Sequence, residues 1–335
     1  MKQLVISNNE AGQRFDRFLS KYLKEASKSF IYKMLRKKNI TLNGKKADGS
    51  EKLAIGDEIK IFFADDTLEK FSGSSEQSVK PVLPANDSFR LDVVFENDDI
   101  IIINKPSGIL SQKAKPDDIS LIEYMTDYLI NTGSMNAETL KTFQPGICNR
   151  LDRNTSGIVV GGKTIKGLQE MSEAFRLRTI HKYYLCIVKG VIRERAVING
   201  YLTKDEASNK VSITDDNKND PEALPIVTEY IPIVSNGEIT LLKVNLITGR
   251  SHQIRAHLAS TGHPVIGDFK YGNASANEHF RKKYKIKSQL LHAYEVVYDP
   301  MQLKVHTAMP EDMDRVLRGE KIWEPGIQEV LEAQY

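Results

Sequence analysis

Asn149-Arg150-Leu151-Asp152-Arg153-Asn154-Thr155-Ser156-Gly157 runs straight into Ile158-Val159-Val160. Asn154 to Gly157 are turn formers and the next three residues are β-branched, so the segment reads as a loop that delivers a strand, with Asp152 on the loop. One carboxylate stands between two guanidiniums. Positive charge nearby favours the ionised form of a carboxylate, and that form is the nucleophile or base. An ordinary ion pair beside a turn accounts for the same residues, and taken alone it is the better account. The rest of the chain has to decide.

Outward from this loop the pattern is mixed. Val93-Val94-Phe95 and Ile100 to Ile103 flank the polar Glu96-Asn97-Asp98-Asp99 and predict a hairpin. Leu121 to Ile130 and Leu168 to Phe175 carry helical patterns, while Tyr184 to Val188 and Leu241 to Leu246 read as strands. Residues 204–222 are polar and read as a loop. The order of elements is irregular, which does not support a doubly wound parallel sheet and predicts an α+β domain over 88–325. Residues 326–335 are left as a C-terminal tail.

The first 63 residues read as a separate small module. Phe15, Phe18, Leu19 and Tyr22 follow i, i+3, i+4, i+7 spacing, the signature of one buried helix face. Ser27 or Ser29 is placed to cap a second helix with Ile31, Met34 and Leu35 on its apolar side. Ile40-Thr41-Leu42 enters an Asn43-Gly44 turn. Leu53, Ile55, Ile59 and Ile61 alternate around Gly56-Asp57 as in a half-buried strand pair. Between Lys28 and Lys46 stand Lys28, Lys33, Arg36, Lys37, Lys38, Lys45 and Lys46, with no acid among them. Phosphate suits such a patch because each neutralised phosphate releases counterions; a solvated lysine-rich face is the blander account. Residues 64–87, rich in Ser, Asp, Gly and Pro, read as a flexible linker.

Composition narrows the class. The chain has 335 residues, 40% of them hydrophobic and 27% charged, with a formal net charge of +3, so only the distribution of charge points to nucleic acid. Cys148 and Cys186 are too few for a disulfide framework. Polar residues follow Ile6 too soon for a signal-peptide core, and apolar runs such as Ile100 to Ile103 are far short of a membrane span. A reducing, cytoplasmic setting and a monomer are the expectation. No phosphate loop, dinucleotide fingerprint or nucleophile elbow is present, and no cofactor is expected.

Two further segments could carry chemistry. In Thr248-Gly249-Arg250-Ser251-His252-Gln253-Ile254-Arg255, a turn leads into a helix on which His252, Arg255 and Ala259 share a face. A cation projected from that face is placed to meet a carboxylate or phosphate. His252 and His257 are five apart and do not share a face as helical zinc ligands would, so no metal site is expected. Gly262-His263-Pro264 and Gly267-Asp268 follow as a rigid loop ending at Tyr271-Gly272. In Lys182-Tyr183-Tyr184-Leu185-Cys186-Ile187-Val188, strand alternation puts Tyr184, Cys186 and Val188 on one face. A tyrosine there serves equally as core filler or as a ring for a base to stack on.

Together these segments resemble the RluA family of pseudouridine synthases. The resemblance is carried by Asn104-Lys105-Pro106-Ser107-Gly108, by Arg150-Leu151-Asp152 with Thr155-Ser156-Gly157, by Thr248-Gly249-Arg250 with His252-Gln253-Ile254-Arg255, His257-Leu258 and Gly262-His263-Pro264, and by Leu291-His292-Ala293. Gly12-Gln13-Arg14-Phe15-Asp16 and the Asn43-Gly44 turn look like the small RNA-binding domain of ribosomal protein S4. Relatives often carry His, Thr and Ala where Asn149, Ser251 and Cys186 stand. The resemblance implies an α+β synthase domain on a mixed, mainly antiparallel sheet, and an isomerase that turns uridine into its C-glycoside without cofactor or metal. It implies that Asp152 is the catalytic aspartate, as nucleophile or base, that Tyr184 stacks on the target base, and that Arg255 pairs with Asp152. It implies further that Arg150 helps open the nucleotide out of its RNA and that Leu291 lines the pocket. The two-domain plan favours large-subunit (23S) ribosomal RNA as partner. A non-catalytic RNA-binding or ribosome-assembly factor is the rival, and a hydrolase with an aspartyl nucleophile a more distant one.

Overall fold

The computed structural model describes residues 1–72, 83, 89–205, 208–216, 220–323 and 326–332. They form two compact units. The first takes the described residues of Met1–Ile102 with Gln112–Asn149 and Val160–Glu173. The second takes Ile103–Ser111, Arg150–Val159 and the described residues from Ala174 onward.

The first unit begins with β1 (Lys2–Val5), α1 (Phe15–Tyr22), α2 (Lys28–Arg36), β2 (Ile40–Leu42), β3 (Glu58–Ile61) and α3 (Asp65–Ser72). The helices form as their spacing predicts: Phe15, Phe18, Leu19 and Tyr22 are buried on α1, and Ile31, Met34 and Leu35 on α2. The Ser27 side chain caps α2 by accepting from the Phe30 amide. Residues 53–61 depart from expectation. Leu53 spends its backbone bonds on the loop before α1, donating to Gln13 and accepting from Gly12. It therefore forms no hairpin with β3, which pairs antiparallel with β1 and β2 instead, and Ile55 is left exposed.

The expected linker also begins differently, because α3 occupies its first residues. Leu68 and Phe71, three apart, pack on the module's core, with the Phe71 and Phe30 rings 4.5 Å apart. A composition dominated by Ser and Asp hides two apolar residues that suffice to seat one short helix. The remainder of that stretch, 73–82 and 84–88, lies outside the described residues.

The first unit continues through β4 (Val93–Glu96), β5 (Ile100–Lys105), α4 (Leu121–Asn131), α5 (Ala137–Thr142), β6 (Gly146–Ile147), β7 (Ser156–Gly162) and α6 (Ile165–Leu177). Of these, β5, β7 and α6 are each divided between the two units. Strand order here is β7-β5-β4, with β6 antiparallel on β7. The small module is held by more than chain connectivity: Thr142 donates to the buried Glu10 at 2.9 Å, and Asn9 donates to the Lys163 carbonyl at 3.1 Å. Asn149 caps the edge of β7 by accepting from the Val160 amide at 2.8 Å.

The second unit adds β8 (His181–Lys189), β9 (Ala196–Asp205), β10 (Lys210–Thr214), β11 (Leu224–Ser235), β12 (Ile239–Leu246), α7 (Gln253–Ser260), α8 (Ala274–Tyr284), β13 (Leu291–Tyr298), β14 (Leu303–His306), α9 (Glu311–Gly319) and α10 (Ile327–Glu332). Its sheet runs β10-β9-β11-β12-β8-β13-β7, antiparallel except for the β13–β7 pair, with β14 also on β13. Leu185, Ile187 and Leu241 of the sheet pack against Phe280, Tyr284, Val316 and Leu317 of the helices. Two expectations are corrected. Residues 204–222 are not all loop: Val211 and Ile213 alternate with polar neighbours, and β10 zips onto β9 with Val211 buried. Residues 326–332 are not a tail either, since α10 buries Ile327 and Leu331 and Lys243 donates to the Leu331 carbonyl at 2.8 Å. Among the described residues no helix is long and apolar enough to cross a membrane.

Three histidines, two buried and one half-buried, set a pH dependence. His292 is sandwiched between Ser156 and Thr307 at 2.8 and 2.7 Å, and burial pulls its pKa down to about 3. Burial also lowers the pKa of His257, which is bonded to Thr228, and of His252. Each is taken up neutral on folding, whereas the unfolded chain protonates near the ordinary value of 6.5. Their contribution is therefore complete above that value and lost as pH falls below it, by up to about 1.4 kcal/mol per unit for each. The thermal midpoint is expected to drop between pH 7 and 5, less steeply in His292→Gln; a flat midpoint over that range overturns the assignment.

Candidate active site

Asp152 is held by a loop clamped on both sides. Preceding it, Ser111 Oγ donates to the Leu151 carbonyl at 2.8 Å and accepts from the Leu151 amide at 3.0 Å. Following it, the Arg153 carbonyl accepts from the Gly108 amide at 2.9 Å and from Lys105 Nζ at 3.0 Å. Lys105 is wholly buried and gives its other two protons to the carbonyls of Pro106 and Ile109, both at 2.9 Å. Burial draws its pKa down to about 7, against the pull of Asp152. Three carbonyls are the full complement an ammonium donates to, so Lys105 acts as a peg joining two loops. The Asn104-Lys105-Pro106-Ser107-Gly108 motif is thus a template for the aspartate loop.

The loop then enters β7, which lies parallel to β13 at Ser156 and Gly157. Gly157 has φ +109, and a Cβ there would sit 2.2 Å from the Ala293 carbonyl oxygen. Glycine is required for that approach. It seats the Asp152 loop beside the start of β13, where Leu291 is buried opposite Cys186 of β8.

The partner of Asp152 is neither neighbouring arginine. Arg153 turns away to donate to the Gly108 carbonyl at 3.0 Å, and Arg150 is exposed. Arg255 of α7 supplies the charge, its Nη1 2.7 Å from Asp152 Oδ2. Its other edge is forked onto Asp268, Nε to Oδ2 at 2.7 Å and Nη2 to Oδ1 at 2.9 Å. Asp268 is fully buried and also accepts from the Lys270 and Tyr271 amides. Burial opposes charge on Arg255, but the two carboxylates more than offset it and its pKa rises. Asp268 likewise stays below the ordinary carboxylate value because Arg255 outweighs its burial.

His252 caps α7 with a left-handed backbone, φ 55. Its Nδ1 is 2.8 Å from the Tyr271 hydroxyl and its Nε2 is 3.9 Å from Asp152 Oδ1. His252 and Arg255 thus reach Asp152 from one helix face, as their spacing predicts, while His257 turns to Thr228 on β11. Gln253 anchors the helix start by donating to Val227 and Thr228 and accepting from Thr248 and the Arg250 amide. Tyr184 on β8 is buried, and burial together with the Asp152 charge raises its pKa, keeping it a neutral phenol.

Asp152, Tyr184, Arg255 and Leu291 thus gather in the second unit, with Arg150 at the exposed start of the aspartate loop. The seven basic residues from Lys28 to Lys46 belong to the first unit and are all exposed. Sequence reasoning misses the roles of Asp268, Lys105 and Tyr271. Each reads as part of a motif or turn, and no local spacing reveals partners 13, 19 and 48 residues away.

The chain matches the family model described as RNA pseudouridylate synthase over residues 99–260 and the S4 domain model over 13–59. A Mycoplasma genitalium protein described as an uncharacterized RNA pseudouridine synthase is 31% identical over 311 residues, covering 90% of each chain. Ribosomal large subunit pseudouridine synthase C of Vibrio vulnificus is 29% identical, covering 94% of this chain and 95% of the relative. The solved human RNA pseudouridylate synthase domain containing 4 shares the fold, with a TM-score of 0.57 at 20% identity over 70% of this chain and 94% of that one. The chain belongs to the RNA pseudouridine synthases, isomerases that act on RNA.

Proposed function

We propose that this chain isomerises specific uridines in large-subunit ribosomal RNA, acting in the cytoplasm through Asp152. The observation that carries the reading is the ordered line Asp152–Arg255–Asp268. Arg255, pinned from behind by a buried carboxylate, occupies Oδ2 of Asp152 and leaves Oδ1 for a substrate. Such preorganisation is what a charged group needs to act on a reacting centre without reorganising at the moment of reaction. The rRNA target is supported by the near full-length similarity to ribosomal large subunit synthases.

In this reading the target nucleotide is first flipped out of its stack, with Arg150 free to follow it. Asp152 Oδ1 either attacks C1′ or removes the C2′ proton, and the N1–C1′ bond breaks. The detached base turns and its C5 bonds to C1′, displacing the Asp152 carboxylate in the first case or joining the glycal as Asp152 returns its proton to C2′ in the second, and N1 takes up a proton from solvent. Tyr184, neutral, offers a ring for the base and a hydroxyl; that hydroxyl takes the C5 proton as it passes its own to Asp152, the carboxylate freed when C5 joins C1′ and the anion Tyr184 feels.

The test is tritium release from large-subunit rRNA transcribed with tritium at uridine C5. Stoichiometric release, with pseudouridine mapped to fixed sites, is expected. Release from tRNA but not from rRNA overturns the target, and none from either overturns the activity.

A further inference from the structure

His252 is a second polar group beside the reacting carboxylate, and its hydrogen bonds run in one direction. Its Nδ1 is 2.8 Å from the Tyr271 hydroxyl, whose oxygen already accepts from the Val211 amide of β10 at 2.9 Å. Burial raises the pKa of Tyr271, so the phenol keeps its proton. That proton is the one a phenol has to give, and among the described residues Nδ1 is the acceptor within its reach. Tyr271 therefore donates to Nδ1. Burial lowers the pKa of His252 against the pull of Asp152, and a neutral imidazole carries a single N–H, which then stands on Nε2. The far side of the ring agrees. Nε2 lies 3.9 Å from Asp152 Oδ1, where an N–H is attracted and a lone pair would be repelled.

The backbone is committed to the same end. His252 holds φ 55, in the left-handed region that side chains other than glycine rarely adopt, at the start of α7. Its ring packs edge-on against Tyr271, with centroids 5.6 Å apart. The donor aimed in this way stays open, because 3.9 Å is too long for a hydrogen bond to Oδ1. An oxygen about 2.9 Å from Nε2 would fill the gap and lie against Oδ1. Oδ1 acts either on C1′ or on the C2′ proton, and the ribose 2′-oxygen is bonded to C2′, the neighbour of C1′. Either course carries that hydroxyl to Nε2.

We propose that His252 donates from Nε2 to the 2′-hydroxyl of the target nucleotide, with Tyr271 fixing the tautomer, and so selects ribose over deoxyribose. The proposal rests on the isomerase reading of Asp152 and deepens it. The test is a cycle on a stem-loop RNA cut around a uridine mapped as above, tritiated at C5 and carrying either ribose or 2′-deoxyribose at that one nucleotide. The loss on going to deoxyribose, read as single-turnover rate over Kd, is compared between the full parent chain, His252→Phe, which has no N–H, and His252→Gln, whose amide nitrogen stands in for Nε2. The loss is expected to be about ten-fold smaller in His252→Phe than in the parent, the effect of one hydrogen bond, and close to the parent's in His252→Gln. Unchanged thermal midpoints show that the variants fold. Equal losses in the parent and His252→Phe overturn the proposal and turn the donor toward the O2 carbonyl of the base. Nitrogen NMR of isotope-labelled histidine reads the tautomer without substrate. The ring signals that vanish in His252→Gln should place the proton on Nε2, and a proton on Nδ1 overturns the proposal. An inert parent in the rRNA test brings down the isomerase reading and this proposal together, whereas equal losses on an active parent bring down this proposal alone.

Discussion

Asp152→Asn is expected to cut tritium release from labelled large-subunit rRNA by roughly 10⁴-fold or more, the order lost when a nucleophile or base is removed from a catalytic unit. Affinity for the same RNA should change less than about two-fold, because the basic residues from Lys28 to Lys46 lie in the other unit. The substitution is nearly isosteric. The new side-chain amide can still accept from Arg255, whose charge remains matched by Asp268. The loop clamps at Ser111, Gly108 and Lys105 bind backbone atoms and are untouched. A folded, RNA-binding, inert variant is therefore the outcome, and parental turnover would remove Asp152 from the mechanism.

Arg255→Met is the second large effect, and it should damage both activity and stability. Asp268 is fully buried and would lose its counter-charge, an arrangement that typically costs about 3–5 kcal/mol. Asp152 would lose the group that orients it. Arg255→Met/Asp268→Asn separates the two consequences. It removes the stranded charge, while the amide introduced at position 268 keeps an oxygen to accept a proton from the 270–271 turn. The double variant should recover most of the thermal midpoint yet stay as inactive as Arg255→Met. Recovery of turnover along with stability would mean that Arg255 is a scaffold and not an orienting partner of Asp152.

Much of this is legible in the sequence because periodicity is a local property. The buried face of α1, the cap at Ser27, the loop position of Asp152 and the shared face of His252 and Arg255 all follow from spacing within a few residues. What is not legible is what distant segments do to one another. Arg150 and Arg153 flank Asp152 in sequence, yet Arg153 binds a carbonyl and the charge arrives from α7. Asp268 reads as a turn residue, and Lys105 as one member of a motif, until the fold buries them. Leu68 and Phe71 show the opposite failure: a composition that averages to linker conceals two residues that make a docked helix.

The clamps around Asp152 also set when the site can come into being. Arg255 is 103 residues from Asp152, Lys105 is 48 from Arg153, and His292 is 136 from Ser156. Closing loops of that length is slow, and none of these contacts has a local substitute. During synthesis, a ribosome must extrude the chain past β13 before the aspartate loop has both its walls. A nascent copy, tethered beside the very class of RNA proposed as its substrate, is therefore inert until late in its own translation.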